Sequence, residues 1–426
     1  MPVHLVSSIE APDWGAETVR IGDLNGDGAP DLLLVQSAYG SRQIQCLTAA
    51  TIGGQRLWQW GEPSAANGRV YSDLPVQIYD WDGDGANEVL YVRQAHYAEP
   101  IEYGEEHIRE RALRYEGDAW MVVLDASTGR EKTSFPIPAP ADDSFLFADL
   151  TGSGRAQDLV VKDRYWNMWG IAASGEVLWR WEGAVGHYPA VADVDGDGRD
   201  EVFVGFALID HDGRELFSRD AGGAHQDAAS LAQLPDGSWR LLFGNHGLHC
   251  LDVEGQEVWY HPLREAQHVV AGRYRPDSPL QVAVIDRGHP RTPEGSPGVL
   301  YLYDLEDGRE YWHRPQPPGG WVAACLDIRW TGREGFGEIL VYERGAGQPA
   351  AIYDGWGELL DTLEVPPQFC GRYGNNPGIH IGYRADLWGD SRQEVVVAGW
   401  KGLRIYANAR PLAIPTLYNN TLYHGM

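Results

Sequence analysis

Short apolar runs recur along the chain, each entered through an acidic, Gly-rich stretch. In Asp193-Val194-Asp195-Gly196-Asp197-Gly198-Arg199-Asp200-Glu201-Val202-Phe203-Val204, acidic residues hold the first, third, fifth and ninth positions and an apolar strand follows. The frame repeats as Asp23-Leu24-Asn25-Gly26-Asp27-Gly28 with Asp31, and as Asp80-Trp81-Asp82-Gly83-Asp84-Gly85 with Glu88. Five decayed copies precede the apolar runs Asp158-Leu159-Val160-Val161, Leu241-Leu242-Phe243, Gln281-Val282-Ala283-Val284, Glu338-Ile339-Leu340-Val341 and Glu394-Val395-Val396-Val397. Eight units at blade-sized spacing mark a repeat architecture.

Each unit predicts the same four strands. A short alternating strand such as Tyr188–Ala192 enters the acidic loop, and a β-branched strand leaves it. A third strand follows, such as Leu248–Asp252, then a turn with Gly, as at Ser174-Gly175-Glu176, Asp212-Gly213-Arg214 or Glu254-Gly255-Gln256. The fourth strand often carries Trp: Trp58, Trp179, Trp259 and Trp312. Four antiparallel strands joined by tight turns make one propeller blade, and blades bury their faces only by stacking around an axis. The expectation is an all-β chain forming a single β-propeller over residues 1–426, with eight blades, or seven if the terminal copies share one.

The acidic loops carry the sharpest chemistry. Carboxylates at alternate positions of a Gly-rich turn converge on one space, where their mutual repulsion is relieved by a hard cation, and oxygen-only ligands suit Ca2+. Asp23, Asn25, Asp27 and Asp31 form one expected Ca2+ site, Asp80, Asp82, Asp84 and Glu88 a second, and Asp193, Asp195, Asp197 and Glu201 a third. The loops beginning at 149, 327 and 386 have lost ligands and are expected to bind weakly or not at all. Arg273 and Arg275 replace acidic positions outright, so that loop is expected to be metal-free.

Composition narrows the function. A net charge of -27 argues against nucleic-acid partners, whose phosphates would be repelled. No apolar run reaches the length of a membrane span. Cys46, Cys250, Cys325 and Cys370 lack metal-type or paired spacing and read as reduced, mostly buried thiols. The N-terminus shows no secretion signal, which reads as cytoplasmic unless a leader has been lost, and a monomer is expected.

Antiparallel strands put alternate loops at alternate ends, so the face opposite the acidic loops gathers the second-to-third strand loops and the approaches to the innermost strands. That face holds Arg93, His96, Tyr97, Arg164, Tyr165, Trp166, Asn245, His246, Arg287 and His289, with His187, His225, His268 and His380 at the approaches. Arg offers a permanent planar charge to a carboxylate, aromatic rings stack on sugar faces, and His or Tyr can move protons. This set suits removal of the C5 hydrogen of a uronic acid, with the carboxylate neutralised and the leaving oxygen protonated. His246, His187, His96, Tyr165 and Arg164 are the catalytic candidates. Arg93, Tyr97, Trp166, Asn245, His225, Arg287, His289 and His380 are the candidates for binding substrate. A ring of axial histidines could instead hold a metal ion.

The repeat frame Asp-x-Asp-Gly-Asp-Gly-x-x-Asp/Glu resembles the FG-GAP/VCBS type of propeller repeat. The His- and aromatic-rich loops and the tail Pro415-Thr416-Leu417-Tyr418-Asn419-Asn420-Thr421-Leu422-Tyr423 are similar to those of the β-propeller rhamnogalacturonan lyases and rhamnose–glucuronate lyases. The resemblance implies β-elimination at a rhamnose–uronate linkage, with a uronate-containing glycan as partner. Two other readings stay open here: a glycoside hydrolase, for which Asp163 and Asp286 would be the carboxylates, and a non-catalytic binding propeller.

Overall fold

The computed structural model describes residues 3–38, 43–67, 73–94, 119–163, 165–222, 225–287, 297–317, 322–344, 348–373 and 376–411. His96, Tyr97, Arg164, His289 and the tail segment 415–423 lie outside the described residues.

The acidic loops do what their pattern predicts: each joins the first strand of a four-stranded antiparallel sheet to the second. In blade four the order is Ala190–Ala192, Glu201–Phe203, Ala207–Ile209 and Glu215–Ser218, and seven of the eight sheets are simple four-stranded meanders of this kind or its closed variant. Blade seven gains an extra hairpin, Gly371–Tyr373 with Asn376–Ile379, attached to its second strand through Arg344 and Ile379. Among the described residues there is no helix.

The ring closes with the two ends of the chain in one sheet. The strand Val3–Glu10 pairs antiparallel with Gly402–Asn408 and becomes the outermost strand of blade eight. Eight blades result, with the terminal copies kept as separate blades and only the closing strand borrowed from the N-terminus.

Apolar residues gather between blades, not at one centre. The second strand of each blade carries an unbroken apolar run through its middle, as in Leu32–Val35, because it is covered on both sides, and alternate side chains go to opposite neighbours. In Asp31–Ser37, Leu33 and Val35 pack with Val76, Val89 and Tyr91 of blade two, while Leu32 and Leu34 pack with Val396 and Ile405 of blade eight. Eight such clusters fill the eight interfaces.

The fourth-strand Trp residues and the turn glycines meet across these interfaces. The indole N–H of Trp179 donates to the carbonyl of His211 at 2.7 Å in the next blade, and that of Trp259 donates to Leu305 at 3.0 Å. Trp58 reaches Ala126 in the same way, and Trp312 reaches Gly355. Each ring lies over the Gly of the neighbouring turn: a Cβ on Gly213 would sit 2.6 Å from Trp179. Gly is required there twice over, since φ is +86° at Gly213 and the ring leaves no room.

The thiols behave as read from the sequence: all four cysteines are free, and Cys46, Cys250 and Cys325 are buried. Burial pushes the Cys250 and Cys325 thiols up to about 12, which keeps them inert.

Candidate active site

On the face opposite the acidic loops, blades three to six bring a set of titratable side chains together. Asp143 precedes the innermost strand of blade three, and Tyr165 lies in that blade's second-to-third strand loop. His187 precedes the innermost strand of blade four, His225 and Asp227 that of blade five, and Glu265 that of blade six. Arg287 follows the second strand of blade six. All lie in the segments that lead into or out of the inner strands of their blades.

His187 is the hub. Its Nδ1 lies 2.7 Å from Asp143 Oδ2, and its Nε2 lies 3.2 Å from the Tyr165 hydroxyl. A carboxylate only accepts, so Nδ1 is assigned the proton and Nε2 is the basic nitrogen. Asp143 itself is buried and also faces the ammonium of buried Lys162 at 3.5 Å. Its backbone is in the left-handed region, with φ of +60°, between Ala141 and Ser144 in the same region. Three non-Gly residues held there in a row of four are a local strain that aims Asp143 inward. Burial holds the His187 imidazole below its ordinary value, against the opposing pull of Asp143. His187 is therefore neutral near pH 7 and able to accept a proton.

His225 lies beside it. Its ring stacks on Tyr165 with centroids 4.6 Å apart and meets His187 nearly edge-on at 5.2 Å. Its Nε2 is 3.4 Å from Asp227 Oδ1. Burial would raise Asp227, but the hydrogen bond from His225 and the charges of His187, His225 and Arg287 bring it below the usual carboxylate range. Tyr165 is only 3% exposed, whereas the side chains of His187 and His225 are 20% and 29% exposed, so the two imidazoles present the accessible face over a buried tyrosine.

Cations and amides border this centre. Arg287 is paired with Glu265, whose carboxyl burial raises above its ordinary range. Asn245 donates from Nδ2 to the His225 carbonyl and accepts the His246 N–H, which fixes the approach of His225. His246 is exposed, with Nδ1 3.1 Å from the Arg264 carbonyl. A cavity of about 490 Å³ runs along the axis beside this centre, lined by Arg20, Asp73, Tyr188, His268, Tyr383 and Arg384 among others.

Other expected site residues lie elsewhere or have other work. Arg93, on the second strand of blade two, pairs at 3.3 Å with Glu131 on the fourth and is not brought to the centre. His380 is 1% exposed, with Nδ1 3.1 Å from the Gly378 carbonyl, and so is packed inside blade eight's approach. The N–H groups of Tyr165, Trp166 and Asn167 all donate to Asp163, which caps its own loop. Asp286 accepts from Glu265 N–H at 2.9 Å and pairs with Arg264 at 3.4 Å. Both carboxylates proposed for hydrolysis are thus committed to structure. The sequence inventory missed Asp143, Asp227 and Glu265. Their signal was position: each precedes an innermost strand, as His187 and His225 do.

Two kinds of place fit a cation. Ligand atoms of His187, His225 and Asp227 all lie within 4.8 Å of one another. The acidic loops are the other kind. In blade four, Asp193 Oδ1 accepts the Gly196 N–H at 2.6 Å and Oδ2 accepts the Gly198 N–H at 3.0 Å, so the turn is folded around that carboxylate. Glu201 is fully buried and its Oε1 has no hydrogen-bond partner. Burial and the charges of Asp195, Asp210 and Asp193 push its carboxyl up to about 7. Its Oε2 accepts the Val194 N–H at 2.8 Å, and an orphaned buried oxygen beside three further carboxylates fits a hard cation. In blade one, Asp31 is likewise buried and raised, by burial first and by Asp27 and Asp23 next.

Residues 160–247 match the family described as "Rhamnogalacturonan lyase family 11, C-terminal domain". The chain is 25% identical to rhamnogalacturonan exolyase YesX of Bacillus subtilis (strain 168), over 92% of this chain and 71% of that protein. It is 25% identical to rhamnogalacturonan endolyase YesW of the same organism over 54% of this chain, spanning 43% of that protein. The crystal structure of YesX superposes with a TM-score of 0.64 at 20% identity, covering 93% of this chain and 72% of that one. These relatives are polysaccharide lyases, and this chain is homologous to them.

Proposed function

We propose that this protein is a lyase that cleaves a rhamnose–uronate linkage in a rhamnogalacturonan-type glycan by β-elimination. The observation that carries the proposal is the Asp143–His187–Tyr165 hydrogen-bonded chain beside His225 and Asp227. The stretch 160–247 that matches the lyase family contains Tyr165, His187, His225 and Asp227. Similarity to the named lyases extends over most of the chain.

Elimination needs a base, an acid and relief of charge on the carboxylate. His187 Nε2 is the base, and the Tyr165 hydroxyl turns from donor to acceptor when Nε2 takes up the C5 proton. The imidazolium so formed is stabilised by Asp143 at 2.7 Å. His225, supported by Asp227, is the proton donor to the leaving oxygen. Arg287, held in orientation by Glu265, faces the uronate carboxylate. Both ring nitrogens of His187 already have partners, which favours proton transfer over metal ligation at this centre.

Ca2+ is proposed for the loops of blades one and four, held by Asp23, Asn25, Asp27 and Asp31 and by Asp193, Asp195, Asp197 and Glu201. There it would tie the first strand of a blade to the second, on the face away from the chemistry.

The test is incubation with rhamnogalacturonan while following ultraviolet absorbance. Elimination creates an unsaturated uronate that absorbs, so a rising trace is expected. New reducing ends without absorbance would replace elimination by hydrolysis, and neither signal on any uronate glycan would leave a binding propeller.

A further inference from the structure

The fourth strands carry an internal comparison. In blades one to seven, each departs from register with the third by one residue, a β-bulge at the same place. The bulged residues are Leu57, Leu178, Leu216, Val258, Tyr311 and Leu360 in six blades, and Lys132 in blade two. Six times the position is apolar or aromatic, and once it carries an ammonium.

That ammonium, on a partly exposed side chain, is turned onto the acidic loop of its own blade. Lys132 Nζ lies 2.7 Å from Asp82 Oδ2, 2.7 Å from Glu88 Oε1 and 3.9 Å from Asp84 Oδ2. These are the third, ninth and fifth positions of the blade-two acidic loop. A second cation caps the first position: Arg155 from blade three donates to the Asp80 carbonyl at 2.7 Å and lies 3.9 Å from its carboxylate. Oxygens of Asp80, Asp82 and Glu88 converge within 4.8 Å of one another, as a cation's ligands would. The loops of blades one and four differ. Among the described residues no ion pair reaches Asp23, Asp27 or Asp31. In blade four Arg199 and His211 approach only Asp197 among the loop's carboxylates, at 3.3 and 3.8 Å, and Glu201 keeps an unpartnered buried oxygen.

We propose that the Lys132 ammonium stands in for the Ca2+ ion of the blade-two loop, making Asp80, Asp82, Asp84 and Glu88 a metal-independent copy of the motif. Ca2+ needs six to eight oxygens at about 2.3–2.6 Å. An ammonium within hydrogen-bond distance of two of those oxygens excludes the ion by volume and by charge. The third and ninth ligands are then bridged by a side chain of the fourth strand, and the blade is locked whether or not Ca2+ is present.

The test counts Ca2+ bound per full-length chain, by equilibrium dialysis of chelator-stripped protein with metal analysis. Wild type is compared with Lys132→Leu, the residue other blades use at the bulge, and with Asp82→Asn and Asp193→Asn. The expected pattern is one more ion in Lys132→Leu, one fewer in Asp193→Asn and no change in Asp82→Asn. Loss of one ion in Asp82→Asn would overturn the proposal, because wild type would already hold an ion there. An unchanged count in a folded Lys132→Leu would also overturn it. Should that variant not fold, Asp82→Asn decides alone. No change in Asp193→Asn would instead remove the Ca2+ reading of blade four.

Discussion

The imidazole of His187 and the carboxylate of Asp143 are 2.7 Å apart although they come from adjacent blades and lie 44 residues apart in sequence. Asp143 is buried, so its role toward a sugar runs through His187. His187→Ala and Asp143→Asn should therefore each lower kcat on a rhamnogalacturonan substrate by roughly 10²–10⁴-fold, with little change in KM. Tyr165→Phe keeps the stack on His225 but removes the hydroxyl from Nε2, and should lose activity while remaining folded. Initial rates from ultraviolet absorbance measure all three. A folded His187→Ala enzyme with full kcat would remove this centre from the chemistry.

The pH profile follows from the same pair. The neutral form of His187 is the active one, and burial places its titration below the ordinary 6.5. As pH falls through that lowered value, His187 takes up a proton and kcat/KM declines, so the acid limb should lie below 6.5. Asp143 opposes the lowering, and its removal in Asp143→Asn should move the limb further toward acid. An acid limb above 6.5 in wild type would contradict the assignment of His187 as base.

The eight loop-and-strand repeats, three of them with full acidic loops, and the fourth-strand Trp residues made the propeller legible, because each is a local pattern with a local cause. Closure was not: nothing in Val3–Glu10 marks it as the partner of Gly402–Asn408, since that pairing joins opposite ends of the chain. Half of the site could be read, because Tyr165, His187 and His225 sit at positions that topology alone assigns to one face. Asp143 and Asp227 escaped because their importance comes from the histidine each touches, and for Asp143 that contact crosses a blade boundary. His246 ranked high by its short loop, but the fold leaves it exposed on the Arg264 carbonyl. Arg93 was assigned to the correct end of its strand, yet it pairs outward with Glu131.

Metal removal provides a third prediction. Ions bound only by the folded state stabilise it by mass action. Chelation should lower Tm, and re-addition of Ca2+ should restore it, with Asp193→Asn and Glu201→Gln showing a smaller response than wild type. Scanning calorimetry with and without chelator checks this. Equal Tm values in both conditions would count against Ca2+ in the loops of blades one and four.

The interblade contact of Trp259 with Gly308 tests what holds the ring together. Trp259 is 9% exposed, its indole donates to the Leu305 carbonyl at 3.0 Å, and its ring covers the turn of blade six. Trp259→Phe should keep most of the apolar contact and lose the hydrogen bond, costing about 1 kcal/mol. Trp259→Ala empties the interface and should cost roughly 3–5 kcal/mol. Gly308→Ala attacks the same contact from the other side: φ is +73° there, and the new Cβ would lie 2.7 Å from the Trp259 ring. The Ala side chain must displace the indole, so Gly308→Ala in the Trp259→Ala background should cost less than it does in wild type. Denaturant unfolding of the four proteins measures that coupling. Strictly additive losses would mean that the two residues stabilise their own blades separately and that the ring is not joined through this contact.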